Sequence, residues 1–309
     1  MSRALRPARV RVPGSTSNMG GGFDCVGLAL DLFLDAEFEP GDDALRVVRE
    51  GGDAPGGDDL LEAAFRRELG IRGFAPAGTL HVKSDIPVAR GLGSSAAALV
   101  AGSALGALAA GEALDPGATF AAAAEAEGHG DNAAPSAYGG LLAVVAAGGA
   151  PRALPMDLSP EVGFAFAAPP TRVSTRDART ALPATVSHAE AVAALPRVVA
   201  LLRGLATADP ELIGLGFGDT LHVPHRLRLI PGGEEALAAA VGAGAWGATV
   251  SGSGSGLLAV GALDVAPALA EAMRAALAER HGEAAVDARP VRPVQRGVST
   301  VDTRRAGEG

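Results

Sequence analysis

From Gly91 to Gly111 the chain reads GLGSSAAALVAGSALGALAAG, without one charged residue. A stretch of this length must leave water, either in a bilayer or in a protein core. Its makeup decides between the two, because Ala, Gly and Ser dominate and leucines are too sparse for a membrane span. The sequence therefore requires a buried helix of small side chains, entered through the glycine-rich turn GLGSS and packed close against its neighbours. The rest of the fold must be layered around it.

With 309 residues, 48% of them hydrophobic, there is material for one large domain or two ordinary ones. A net charge of -9 argues against nucleic acid, whose binders carry basic patches. The single cysteine, Cys25, can form neither an internal disulfide nor a cysteine-rich zinc site, which fits a reducing cytoplasm. MSRALRPARVRV has arginines but lacks the apolar run of a signal peptide, so a cytoplasmic chain without a membrane partner is expected. Lys83 is the only lysine, and it stands in HVKSDIP rather than in a G-x-x-x-x-G-K-[ST] loop. Any bound phosphate must then be held by backbone N–H groups, helix ends, arginine or a metal.

Apolar spacing alternates strands with helices. Val10 and Val12 mark a strand expected to end at Pro13, and Leu28, Leu30, Leu32 and Leu34 share one face of a longer one. Asp58 and Asp59 can cap a helix bearing Leu61, Phe65 and Leu69, and a strand over Leu80 and Val82 leads into GLGSS, where Ser94 and Ser95 read as helix caps. A second Ala-rich helix covers 116–127, with the turn GHGDNAAP after it. The Gly/Pro-rich junction GGAPRALP is the candidate boundary between domains over 1–155 and 156–309. Beyond it come a strand at VGFAFAAPP, a helix over 187–207 that contains Pro196, and further helices and strands from 234 to 289. Hairpin joins mixed with crossovers favour an α+β fold over a pure parallel sheet.

Three glycine-rich loops and one polar cluster carry candidate chemistry. In GLGSS, glycines at positive φ can turn successive N–H groups inward as an anion nest at the positive end of a helix, and an ordinary capped turn has the same sequence. GLGSSA also satisfies G-x-G-x-x-A, with Glu112 downstream, the fingerprint of a NAD(P)-dependent oxidoreductase, although two strands and a helix precede it. TVSGSGSG, from Thr249 to Gly256, joins two strands and lets another backbone approach. NMGGGFD sets Asn18 and Asp24 around a bend. In EAEGHGDN, Glu125, Glu127, His129, Asp131 and Asn132 fall together, where one carboxylate can hold Mg²⁺ or the segment can simply end a helix in an Asx-turn. Zinc spacings and the G-x-S-x-G elbow are absent from the sequence.

Taken in order, these segments resemble the GHMP small-molecule kinases, most closely their homoserine kinase branch. The matching segments are PGSTSNMGGGFDCVG (13–27), the phosphate loop from Pro87 to Ala97, EGHGDNAAP (127–135), VSTRDARTALP (173–183), PHRLRLIPG (224–232) and SGSGS (251–255), so the likeness spans nearly the whole chain. The resemblance implies a two-domain α+β fold, with an N-terminal unit like domain 2 of ribosomal protein S5 and a C-terminal ferredoxin-like α/β sandwich. It implies Mg²⁺-dependent transfer of the ATP γ-phosphoryl group to the side-chain hydroxyl of L-homoserine, a step of threonine biosynthesis, by a homodimer. Another GHMP kinase activity, or a nucleotide-binding relative without catalysis, is the alternative.

The same resemblance assigns Pro87, Gly91, Leu92, Gly93, Ser94, Ser95, Gly252 and Gly254 to ATP, and Ser95 and Glu127 to Mg²⁺. Asn18, Asp24 and His129 would line the amino-acid pocket, with Arg179 and Arg226 on the carboxylate, where arginine's fork fits. Asp131 and Asn132 join Glu127 near the transferred group. Phosphoryl transfer passes through a loose transition state, so positioning and charge neutralisation can carry most of the rate. This chain departs from the family pattern at Gly21 or its neighbour and at Ser255, where proline is usual, and at Gly14, where alanine is customary.

Overall fold

In a computed structural model the chain is described over residues 4–51, 59–145 and 149–301. The strands are β1 (Ala8–Ser17), β2 (Val26–Ala44), β3 (Arg46–Glu50), β4 (Ala77–Ser84), β5 (Leu141–Val145), β6 (Arg152–Met156), β7 (Val162–Ala168), β8 (Gly247–Val250), β9 (Leu257–Ala262), β10 (Asp287–Val291) and β11 (Ser299–Thr300). They form two sheets. The first has the order β11-β1-β2-β4-β3, with β5 pairing β2 and β6 pairing β5; the second has the order β10-β7-β9-β8. Among the described strands only β3 and β4 pair in parallel. The expected α+β class is what the chain adopts.

The helices are α1 (Leu60–Ile71), α2 (Ser94–Ala109), α3 (Pro116–Glu127), α4 (Ala133–Tyr138), α5 (Thr175–Thr180), α6 (His188–Thr207), α7 (Pro210–Phe217), α8 (Val223–Leu227), α9 (Gly233–Gly242) and α10 (Ala266–His281). The uncharged segment is α2, and most of its residues are buried. Its small residues are required by contact: a Cβ on Gly102 would stand 2.2 Å from the Leu61 carbonyl oxygen, and one on Gly106 would stand 2.5 Å from Glu68 Cβ. At that range α1 packs backbone against backbone, which no larger side chain allows. Among the described residues no helix is long and apolar enough to cross a membrane.

Several expectations need correction. The first strand does not stop at Pro13 but runs to Ser17, absorbing the proline with a register shift between Pro13 and Gly14. The turn after Asn132 is instead the short helix α4, which takes Pro135 into its first turn, where a missing N–H costs nothing. Ser94 and Ser95 do not cap α2: Gly93 holds that position at φ 65° and offers no side chain. The cap of α1 is Asp59, which accepts from the Leu61 and Glu62 N–H groups; Asp58 lies outside the described residues.

Candidate active site

The three glycine-rich loops converge on one place. β1 delivers Ser15, Thr16, Ser17 and Asn18 to the mouth of α2, and the loop between β8 and β9 leans on them from the second sheet. Thr16 Oγ1 and Ser251 Oγ lie 2.9 Å apart, and the Ser251 hydroxyl donates to the Gly91 carbonyl at 2.7 Å. The Gly252 N–H donates to the Ser17 carbonyl at 2.9 Å. This knot depends on glycine: a Cβ on Gly91 would stand 1.9 Å from the Ser251 carbonyl oxygen, and one on Gly256 would stand 2.2 Å from the Arg90 carbonyl oxygen. The close backbone approach read from TVSGSGSG is therefore met by the loop from Gly91.

Beside the knot lies a cavity of about 210 Å³. Gly91, Gly93, Ser94 and Ser95 form its wall on the α2 side, where a helix N-terminus without a side-chain cap presents its free N–H groups. Glu127 lines it from the end of α3, and His129 and Asn132 from the segment between α3 and α4, while Arg179, Arg226, Asn18 and Gly252 close the far side. The sequence thus brought most of its candidates to a single site.

Others sit behind it or beside it. Leu92 is packed in the core, so only its backbone belongs to the loop, its carbonyl accepting from the Ser15 N–H at 3.1 Å. Pro87 is half-buried between β4 and α2, and Gly254 turns the second loop against Ile230. Glu125 faces outward and pairs with Arg67.

Charge is arranged in layers. Asp131 is fully buried behind His129, with Oδ1 2.7 Å from His129 Nδ1 and Oδ2 without a hydrogen-bond partner. Burial works to raise the Asp131 pKa, but the hydrogen bond and charge of His129 outweigh it and hold the carboxyl below its ordinary range. His129 is pushed up in return, chiefly by the hydrogen bond it donates to Asp131. The Glu127 pKa is raised by burial, against the opposing pull of His129 and of the neighbouring Ser95 hydroxyl, and its Oε2 is buried with no partner. Asn132 has both ends of its amide engaged, donating to Ser17 Oγ at 2.8 Å and accepting from the Ser15 hydroxyl at 3.0 Å.

The two arginines differ. Arg179 forks onto Asp24 with contacts of 3.0 and 2.9 Å, a half-exposed pair at the rim. Arg226 is buried, with its guanidinium 5.0 Å above the Phe23 ring, its Nη1 donating to the Gly252 carbonyl at 2.7 Å, and its Nε unpartnered. Burial lowers its pKa to about 10, so it stays charged at neutral pH, and among the described residues it forms no ion pair with a carboxylate. Asn18, at φ 58°, ties the bend together by accepting from the Asp24 N–H at 2.8 Å and donating to the Gly252 carbonyl at 3.1 Å.

Sequence reasoning passed over Ser15, Thr16, Ser17, Phe23, Asp219, His222 and Ser251, all of which hold the site together. Five of them lie inside the matched segments 13–27 and 251–255, and for His222 the local signal is its four-residue spacing from Arg226, which places both on one side of a helical turn.

The comparisons with known proteins fit this geometry. The model of the GHMP kinases N terminal domain matches residues 58–140. Homoserine kinases from Synechococcus sp. (strain CC9605) and Thermus thermophilus are each 39% identical, over 85% and 82% of this chain and 87% and 86% of their own lengths. The crystal structure of homoserine kinase from Cytophaga hutchinsonii superposes with a TM-score of 0.84 at 27% identity, covering 96% of this chain and 97% of that one. L. major mevalonate kinase, at 18% identity and a TM-score of 0.72, shares the fold. The chain is a GHMP kinase by fold and by sequence. Within that class it belongs to the homoserine kinase family.

The oxidoreductase alternative is overturned by the same findings. GLGSS follows β4, a strand antiparallel to β2 and far from the start of its sheet, whereas a dinucleotide fingerprint opens the first strand–helix unit of a parallel sheet.

Proposed function

We propose that the chain transfers the γ-phosphoryl group of ATP to the side-chain hydroxyl of L-homoserine. The hydroxyl oxygen bonds to the γ-phosphorus as the bond to ADP breaks, and O-phospho-L-homoserine, ADP and the hydroxyl proton leave. The observation that carries this reading is the pairing, on one cavity, of an open helix N-terminus with a buried arginine that forms no ion pair among the described residues. The first suits a phosphate and the second a carboxylate. A phosphorylated amino acid and its donor require both.

Among the described residues no three His, Cys, Asp or Glu side chains gather as a ready metal site. Mg²⁺ seldom needs one, since it binds through one or two carboxylates, waters and the phosphates of its substrate. The unpartnered Glu127 oxygen beside Ser95 fits that demand, and these two residues would hold the ion. When bound it would neutralise charge on the phosphates. The chain's own residues supply the remainder: main-chain N–H groups from Gly91 to Ser95 cradle phosphate, Arg226 and Arg179 hold the amino-acid carboxylate, and Asp24 is freed from Arg179 to meet the α-amino group. Asp131, buried and ionised, fixes the His129 ring at the cavity wall. In this reading residues 1–155 carry the phosphate loop and residues 156–309 the arginines. The protein works as a cytoplasmic homodimer, a setting supported by its lone cysteine and by its family.

ADP formation from Mg-ATP is expected to rise with L-homoserine and to stay at background with mevalonate, galactose or shikimate. Preference for one of those alcohols would move the chain elsewhere in the superfamily. The double variant Arg179→Ala/Arg226→Ala should raise KM for homoserine by about 100-fold, if each lost charged contact is worth about 1.5 kcal/mol. KM for ATP should hold, and an unchanged homoserine KM would remove both arginines from the carboxylate.

A further inference from the structure

His222 is buried, imidazole included, at the start of α8, behind Arg226 rather than on the cavity wall. A fully buried histidine has to satisfy two ring nitrogens, and its neighbours dictate how. Nε2 lies 2.9 Å from the Gly20 carbonyl oxygen, which can only accept, so Nε2 carries the proton. Nδ1 is then a bare lone pair, and it faces Arg226 Nη1 at 3.4 Å. The same Nη1 donates to the Gly252 carbonyl. The imidazole stacks on Phe23 with centroids 4.8 Å apart and planes inclined by 18°, and Phe23 also lies under the Arg226 guanidinium. At the backbone, the His222 N–H donates to Asp219 Oδ2 at 2.8 Å, and its carbonyl accepts from the Arg226 N–H at 3.0 Å.

We infer that His222 is a positioning residue: held as the neutral, Nε2-protonated imidazole, it aims the Arg226 guanidinium into the amino-acid end of the cavity. The inference rests on the reading that Arg226 holds the acceptor's carboxylate. Three supports fix Arg226 in place: the lone pair of Nδ1, the Gly252 carbonyl and the face of Phe23. Two of these, His222 and Phe23, are themselves locked to the bend at Gly20. The charged groups that act on the ring are Asp219, 3.8 Å from Nε2, Arg226 and Asp24. Burial lowers the His222 pKa to about 4 and Arg226 pushes the same way, against the pull of Asp219, Asp24 and the hydrogen bond to Gly20, so the ring is uncharged at neutral pH. A protonated ring would set a second cation against the guanidinium and turn it away.

The test compares two replacements that divide the imidazole between them. In His222→Asn the amide oxygen falls near Nδ1 and can still accept from Arg226; in His222→Gln the amide reaches the place of Nε2 and keeps the tie to Gly20 while the acceptor near Arg226 is lost. Steady-state kinetics with Mg-ATP and L-homoserine should give His222→Gln a homoserine KM raised about tenfold, with KM for ATP and kcat within about twofold of wild type. His222→Asn should stay within about threefold on every constant. The idea fails if the two variants shift homoserine KM equally, or if ATP KM moves with it, since a general loosening of the fold would do either. Arg226→Ala is measured alongside. If it leaves homoserine KM unchanged, the underlying reading of Arg226 is at fault; if it raises KM while His222→Gln does not, the positioning role is.

Discussion

Replacing Gly91 by alanine tests the loop knot most severely. Its φ is +68°, where an L side chain carries about 1–2 kcal/mol of strain. The new Cβ would fall 1.9 Å from the Ser251 carbonyl oxygen, whereas ordinary contact begins near 3.4 Å, so the two loops must part by about 1.5 Å. Forcing that separation costs about 1–3 kcal/mol, and loss of the hydrogen bond from Ser251 to the Gly91 carbonyl adds about 1 kcal/mol. Gly73 is the control, because its φ of +76° is equally unfavourable but nothing lies within 4 Å of its Cβ. Gly73→Ala should therefore lose only the backbone component. Urea unfolding followed by the fluorescence of Trp246, the single tryptophan, should place Gly91→Ala about 2–4 kcal/mol below Gly73→Ala. Displacing the phosphate cradle by more than 1 Å should also cut homoserine-dependent ADP formation about 100-fold, with Gly73→Ala near wild type. Equal stability of the two variants, or full activity in Gly91→Ala, would refute the argument that this contact builds the site.

Glu127→Gln removes a charge that burial disfavours, so its melting temperature should equal or exceed that of wild type while turnover falls at least about 100-fold, corresponding to a few kcal/mol of lost charge neutralisation; a melting temperature several degrees lower would instead make Glu127 a structural residue. The His129–Asp131 pair should give stability a pH signature. The raised His129 pKa contributes stability that is complete below the unfolded value of about 6.5 and is lost as pH rises through the higher folded value; the lowered Asp131 pKa contributes stability present above its unfolded value and lost as pH falls through the folded one. Unfolding free energies from urea titrations between pH 5.5 and 9 should fall on the alkaline side in wild type by about 1–2 kcal/mol and lie flatter in His129→Gln; parallel profiles would exclude the pair.

Much of the fold was legible because burial writes itself into composition. The uncharged α2, the leucine alternation of β2 and the capped start of α1 each follow from one local rule. The short strands β3 and β6 were missed because RVVRE and RALPM show no clean alternation, and their pairing is decided by neighbours far along the chain. α4 was missed because Pro135 reads as a turn until its place in the first helical turn is known. At the site, Glu127, His129 and the arginines announce chemistry by residue type. Ser15, Thr16 and Ser251 do not, since lone hydroxyls in loops look like turn residues, and only contact across the fold reveals their partners. The Asp24–Arg179 pair is of the same kind: neither residue's surroundings in sequence point to the other.

The hydroxyl relay from Thr16 through Ser251 to the Gly91 carbonyl joins residues 235 and 160 positions apart in the chain. A nascent chain that has emerged only as far as β6 possesses the glycine turn but lacks the segment that braces it. Nucleotide should accordingly offer no help to early folding steps and should favour only molecules in which both sheets have already met, which makes ATP-induced thermal stabilisation a measure of completed assembly.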